Sequence, residues 1–502
     1  MTQEETSMNS LSDKVRDFIS SPRKMLINGQ WTEAASGKRF DTLDPSTGET
    51  IVAVAEGDKE DINRAVMAAR AAFDDGPWSR MNPTERERCM HRLANLMEEN
   101  ADALSELEAL DNGKNIAVAR AVDVQVAIDY IRYMAGWPTK ITGHTLPLSV
   151  PYAPDAKFMG YTLKEPVGVV GQIIPWNFPV LMVAWKIGPA LATGCTIVLK
   201  PAEETPLAAL YIGELICQAG FPDGVVNIIP GYGHTAGAAL TVHEEVDKIA
   251  FTGSTDVGKI IVKAAADTMK NVSMELGGKS PAIILPDADL DIAIPGAASA
   301  IFFNQGQVCC AGSRLFVPDS LYDKVVEGLA EAANAMKIGP GLNPENMINP
   351  LVSQTQFDKV MGYIDSGRAE GADIVAGGGR SGDKGYFVQP TILGNTNRDM
   401  KVVREEIFGP VVCVQRYTDI ADIPKFANDT AYGLGASIWT RDVGNIINIV
   451  PKIRSGSVWV NCHNILDVAM PFGGYKQSGF GKDMGEEALD AYLETKSVCI
   501  MA

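Results

Sequence analysis

The chain has 502 residues, too many for one hydrophobic core, so two or three domains are expected. Its hydrophobic content of 46% and charged content of 21% are ordinary for a soluble globular protein. A formal net charge of −18 argues against a nucleic-acid partner, which would favour a basic face.

Residues 1–10 are polar and acidic and lack the basic and apolar regions of a signal peptide. No apolar run reaches the roughly 20 residues that span a bilayer. The eight cysteines (Cys89, Cys195, Cys217, Cys309, Cys310, Cys413, Cys462 and Cys499) show no CxxC spacing, which excludes a disulfide framework and a zinc site. The five histidines form no cluster, so no metal is expected. Together these features predict a cytoplasmic protein with no membrane partner.

Residues 1–25 read as a polar arm with one short helix. Residues 26–31 read as a hairpin about the Asn28-Gly29 turn. From Asp58, a candidate N-cap, Ile62, Val66, Ala69 and Phe73 fall on one helical face. A single charge-laced helical stretch is predicted over 84–110. Residues 137–166 alternate short extended runs with Gly143, Pro147, Pro151 and Pro154, and read as a projecting hairpin.

From residue 167 strands and helices alternate. Strands are expected at 167–174, 196–199, 225–229, 248–251 and 272–275, with helices near 179–192, 206–219, 235–241 and 255–269. Short apolar strands alternating with helices predict an α/β fold with a doubly wound parallel sheet, whose ligands bind at the carboxyl ends of the strands. A second α/β region over 278–477 has strand-like runs at 282–285, 315–317, 411–415, 436–439 and 457–460. The tail 488–502 reads as a helix and then an apolar strand over 497–501.

Several loops carry chemistry. Residues 302–314 hold Cys309 and Cys310 in a small-residue turn bracketed by Gly306 and Gly312. A thiol there either fills space or serves as a nucleophile that a ligand can approach. Phe251-Thr252-Gly253-Ser254-Thr255-Asp256-Val257-Gly258 lies between a strand and a helix, where backbone N–H groups can meet a phosphate. Its GxxxxG spacing is neither the dinucleotide fingerprint nor a Walker loop, and an ordinary tight turn fits it equally. Lys200 and Glu203 follow the second strand of this unit, where an acidic residue can bind ribose hydroxyls. Glu275 ends an apolar strand before two glycines, where desolvation would raise its pKa toward the range of a general base. Asn177, in Pro175-Trp176-Asn177-Phe178-Pro179, could stabilise an oxyanion or simply cap a helix. Glu406 and Phe408 mark a further loop.

The order PWNFP, LKPAE, FTGSTxxG, ELGGK, GQxC, EIFGP resembles that of the aldehyde dehydrogenase superfamily, over about residues 26–500. The resemblance implies Cys309 as nucleophile, Asn177 with the Cys309 N–H as oxyanion donors, and Glu275 as general base. It also implies a proton relay through Lys186 and Asp483, the latter standing where many relatives have glutamate. It implies NAD as cofactor. Lys200 and Glu203 would hold the adenosine ribose, and Gly253, Ser254, Val257 and Gly258 the pyrophosphate. Glu406, Phe408, Gln356 and Lys359 would hold the nicotinamide ribose and ring, with Ile173, Trp176, Gly233 and Leu276 along the same groove.

The domains implied are a cofactor domain over 1–136 and 167–277, a catalytic domain over 278–477, and an oligomerisation element from 137–166 and 488–502. That element has no evident partner within its own domain and implies a homotetramer built as a dimer of dimers. CoA-acylating relatives generally lack the glutamate, and a non-catalytic relative would lose the cysteine; both residues are present. The aldehyde tunnel would be lined by Phe178, Met182, Trp185, Phe303, Val308, Asn464, Leu466, Met470 and Phe472, a wall without charge. Residues 461–472 also resemble bacterial phenylacetaldehyde dehydrogenases. Oxidation of an arylacetaldehyde such as phenylacetaldehyde to its acid is therefore expected, with medium-chain aliphatic aldehydes as the alternative.

Overall fold

Two largely parallel sheets organise the chain. The computed structural model describes residues 11–501, so the N-terminal stretch 1–10 lies outside the described residues. The first sheet has eight strands. Its parallel centre runs Asn271–Glu275, Lys248–Thr252, Val169–Ile173, Thr196–Lys200, Val226–Ile228. The strand Val169–Ile173 comes first in the chain and sits in the middle. The chain winds outward to Val226–Ile228, then returns to the other side at Lys248–Thr252. That reversal is a topological switch point, where a crevice opens beyond the strand ends. Central strands such as Val169–Ile173 and Thr196–Lys200 are buried throughout, as continuous apolar strands must be when helices cover both faces. Helices Pro179–Thr193 and Leu207–Ala219 contribute to one core, and Lys59–Asp74 and Thr255–Ala265 to the other.

The sheet's edges are antiparallel. At one edge is the hairpin Met25–Ile27 and Gln30–Thr32, turning through Asn28 (φ 50°) and Gly29 (φ 72°), the left-handed pair a two-residue turn requires. At the other edge, Gly479–Phe480 pairs with Asn271–Glu275. The second sheet orders seven strands as Asp373–Ala376, Thr391–Gly394, Val411–Tyr417, Arg314–Pro318, Pro281–Ile284, Gly435–Trp439, Ser457–Val460, all parallel except the first.

Two expectations need correction. The helical stretch over 84–110 is two helices, Pro83–Glu99 and Ala101–Asp111, broken at Asn100 (φ −116°, ψ 18°). The Asn100 amide competes with the helix: it donates to Leu96 O and accepts from Lys14 and the Tyr211 hydroxyl. The hairpin and the tail, expected to have no partner within their own domain, pair with each other. Phe158–Pro166 and Leu493–Met501 match antiparallel over nine residues, with Thr145–Leu146 as third strand. Among the described residues no helix is long and apolar enough to cross a membrane.

Candidate active site

The carboxyl ends of the first sheet and the Cys309 turn close on one cavity of about 500 Å³. The turn is built on unusual backbone. After helix Leu290–Phe302, Asn304 (φ 47°), Gln305 (φ 54°) and Gly306 (φ 69°) are all left-handed. Non-glycine residues there cost of order 1 kcal/mol each, and such strain clusters at functional sites. Gly306 has no alternative, because a Cβ would stand 2.0 Å from Gly409 O. A Cβ on Gly278 would likewise stand 2.3 Å from Cys309 O, so the second glycine after Glu275 and Leu276 lets the cysteine turn close down.

Cys309 is half-buried and lines the cavity. Its thiol pKa is pushed well above the ordinary value, first by hydrogen bonding with the Cys310 thiol and then by burial. In this state it is a thiol, and a base must take its proton. Cys310 is buried, also lines the cavity, and donates to Asn464 Oδ1 at 3.2 Å. Its carbonyl lies 2.9 Å from His463 Nε2, while His463 Nδ1 meets Ser437 Oγ at 2.8 Å. Burial lowers the His463 pKa to about 4, so the ring is neutral. A proton on Nε2 satisfies the carbonyl and leaves Nδ1 to accept.

Across the cavity Glu275 is buried, and neither carboxylate oxygen has a partner among the described residues. Burial, reinforced by the charge of Asp483, raises its pKa well above the carboxylate range. A Cβ on Gly473 would fall 2.5 Å from Glu275 Oε1, so only glycine leaves room for the carboxyl group. Behind it Lys186 and Asp483 form a buried ion pair at 2.5 Å. Asn177 Nδ2 donates to Gln307 O at 2.9 Å, and Asn177 O accepts from Asn304 at 3.0 Å. One N–H of the Asn177 amide remains for a ligand, and the residue lines the cavity with Cys309.

One end of the cavity is polar. Glu406 Oε1 accepts from Gly278 N at 3.0 Å, and burial raises the Glu406 pKa. The Trp176 and Phe408 rings meet edge-on at 5.2 Å, and Gln356 donates to Phe408 O at 2.6 Å. Lys359, Leu276, Gly253 and Ser254 line this end. Ser254 caps the eleven-residue helix Thr255–Ala265 and accepts from Val257 N. Gly258 packs beneath Leu276. Beyond, Lys200 Nζ pairs with Glu203 Oε2 at 2.6 Å, and Gly233 N donates to Glu203 Oε1 at 3.3 Å. Burial acts to raise the Glu203 pKa, but the Lys200 charge and hydrogen bond, together with backbone N–H groups including that of Gly233, hold the group below the ordinary range. Lys200, Glu203, Gly233, Ile173, Val257 and Gly258 lie outside the cavity wall.

The other end is apolar. Phe178 stacks on Phe303 at 6.3 Å, and Trp185 packs against Phe472 at 5.3 Å. Met182, Val308, Asn464 and Leu466 also line it, but Met470 does not. Met470 is 56% exposed in a turn closed by its N–H on Asp467 O, which points its side chain outward; Ile465 lines the cavity instead. The wall is not free of charge, since Asp123 contributes, paired with Lys114 at 2.6 Å. Asp123, Val122 and Val126 come from the π-helical turn Ala119–Val124 and the helix Gln125–Ala135. The spacing of Val122 and Val126 by four residues was the available signal for this face. Among the described residues no group of three His, Cys, Asp or Glu could hold a metal ion.

Comparison with known proteins agrees with this geometry. The profile described as "Aldehyde dehydrogenase family" matches residues 31–498. The mitochondrial aldehyde dehydrogenase of Homo sapiens is 50% identical over 479 residues, covering 95% of this chain and 92% of the relative. An aldehyde dehydrogenase of Alternaria alternata is 49% identical over 480 residues, covering 95% of each. The structure of the NAD+ complex of the Bacillus cereus aldehyde dehydrogenase superposes with a TM-score of 0.96 at 49% identity, covering 98% of this chain and 99% of that one. The motif order and the cavity it builds thus have one source: the chain belongs to the aldehyde dehydrogenase family.

Proposed function

We propose that the protein oxidises an apolar aldehyde, best an arylacetaldehyde such as phenylacetaldehyde, to the carboxylic acid with NAD. The observation that carries this is one cavity with Cys309 at its middle, a polar groove on one side and an aromatic pocket on the other. The polar groove suits a dinucleotide. A bare Gly233, whose absent Cβ would have nothing nearer than 4.0 Å, lies beside Glu203, and an exposed helix N-terminus follows at Ser254. NAD, when bound there, supplies the hydride acceptor.

The chain's own residues do the rest. Glu275, desolvated, takes the Cys309 proton, directly or through water. The thiolate adds to the aldehyde carbon, and the resulting oxyanion is met by the free Asn177 N–H and the Cys309 backbone N–H. Once hydride has left, a thioester remains on Cys309. Glu275 passes the Cys309 proton on through the pair of Lys186 and Asp483 behind it, and, ionised again, deprotonates the water that cleaves the thioester. Phe178, Phe303, Trp185 and Phe472 exclude water and orient the substrate. Burial of one ring is worth on the order of 2 kcal/mol, so preference over acetaldehyde should be moderate. The test is kcat/KM across acetaldehyde, hexanal, benzaldehyde and phenylacetaldehyde. A preference for hexanal would favour the medium-chain reading, and a preference for acetaldehyde or a charged aldehyde would overturn both.

The proposal includes a cytoplasmic homotetramer, a dimer of dimers, with the eight-stranded sheet as cofactor domain and the seven-stranded sheet as catalytic domain. In support, the three-stranded sheet presents Met159, Leu163, Ile500 and Met501 at 40–70% exposure, and unpaired apolar edges favour association. Light scattering after removal of residues 497–502 should report a smaller assembly.

A further inference from the structure

Residues 108–123 do work that no motif announces. Asn112 Nδ2 donates to Trp176 O at 2.7 Å. Glu108 Oε2 accepts from Val180 N at 3.2 Å. Lys114 Nζ lies 4.1 Å over the Phe178 ring, held between Glu108 Oε1 at 2.8 Å and Asp123 Oδ2 at 2.6 Å. All four side chains are 0–1% exposed. Residues 176, 178 and 180 are therefore each held by residues 108–114, and Asn177, between the first two, lines the cavity with Cys309.

We propose that Asn112, together with the cluster of Glu108, Lys114 and Asp123, positions the Asn177 amide for the oxyanion. The inference rests on the reading of Asn177 as an oxyanion donor. Packing alone does not account for the brace. Three ionisable groups in a fully buried place bear a desolvation cost that apolar side chains of the same volume would avoid, so the cluster is a poor choice for stability alone. What charges and a fixed amide add is direction. Lys114 sits on the face of the Phe178 ring, where the ring's quadrupole draws it, and so fixes that ring. Asn112 fixes the carbonyl preceding Asn177, and Asn304 fixes the carbonyl of Asn177 itself. A donor must be held within roughly half an ångström of its working geometry, and a displacement of about 1 Å can cost on the order of 100-fold in rate.

The test is a double-mutant cycle on the full enzyme, with hexanal and NAD, following the single-turnover rate of NADH formation. Asn112→Ala should slow that step by roughly 10- to 100-fold, with a smaller change in KM and unchanged NAD binding. Asn112→Ser keeps a donor and should recover part of the loss; it serves for the cycle if Asn112→Ala does not fold. Combined with Asn177→Ala, either variant should be no slower than Asn177→Ala alone. If the losses multiply, or if thermal stability falls while the rate does not, the brace does not act through Asn177 and the proposal fails. If Asn177→Ala by itself leaves the step unchanged, the oxyanion reading is what has failed.

Discussion

Two lysines are buried beside this cavity, each among carboxylates, and the two clusters are finished differently. Lys114 touches both Glu108 and Asp123, and the second oxygen of Glu108 takes the Val180 N–H. Lys186 touches Asp483, while both oxygens of Glu275 are without partners among the described residues. Titration does not separate the two glutamates, because burial raises Glu108, to about 8, and raises Glu275 as well. Contacts do. A buried carboxylate whose oxygens face an ammonium and a backbone N–H fixes its neighbours, whereas one with neither kind of contact can accept a proton from a reacting atom. On the proposed mechanism the same low-dielectric setting serves architecture on one side of the cavity and chemistry on the other.

The strongest break of this comparison is Glu275→Gln. It should slow thioester hydrolysis by about 10²- to 10⁴-fold. A burst of NADH near one equivalent followed by a slow steady rate is the expected trace, with little loss of stability. Glu108→Gln should give no such trace. Next come Lys186→Met and Lys114→Met. Each strands a buried aspartate and should cost about 3–5 kcal/mol, read from denaturant unfolding; similar losses from both would show that the clusters differ in chemistry and not in their hold on the fold.

The pH dependence sharpens the comparison further. With a folded pKa of about 8 against 4.5 unfolded, Glu108 binds more protons in the folded state. Its contribution is therefore fully present below about 4.5 and is lost as pH rises through about 8. Glu108→Gln should flatten the fall of Tm with pH across that window and leave the pH profile of hydrolysis alone. Glu275 shifts in the same direction, so Glu275→Gln should also flatten the Tm slope, and it alone should remove the rise of the hydrolytic rate with pH. The smallest effect is expected at Leu466, on the aromatic side. Leu466→Phe should lower kcat/KM for phenylacetaldehyde relative to hexanal by roughly tenfold.

The loops that meet at the cavity were legible because each is local. A strand ends, two or three small residues turn, and the functional group sits within that turn, so Asn177, Ser254, Glu275 and Cys309 could be placed from a few neighbours each. What stayed hidden depends on partners distant in sequence. Asn100 breaks a helix that its apolar spacing would have continued, because Lys14 and Tyr211 claim its side chain. The grip of Asn112 on Trp176 spans 64 residues and leaves no periodic trace. Met470 was expected in the tunnel from the family resemblance, yet a tight turn at Asp467 faces it outward. The hairpin 137–166 looked partnerless because its partner strand lies more than 300 residues on.

That last separation bears on how the protein is made. Gly479–Phe480 closes the edge of the first sheet, Asp483 neutralises Lys186 from 297 residues away, and Leu493–Met501 completes the small sheet. All three lie within residues 479–501 and are synthesised after every other strand of the two large sheets. Until they emerge from the ribosome, Lys186 lacks the partner that its folded site supplies and two sheets have open edges. Long-range pairings of this kind form slowly and leave aggregation-prone surface exposed. A chain cut before Gly479 should therefore be both inactive and a client for chaperones, because it loses the edge strand of the first sheet and the partner of Lys186 together.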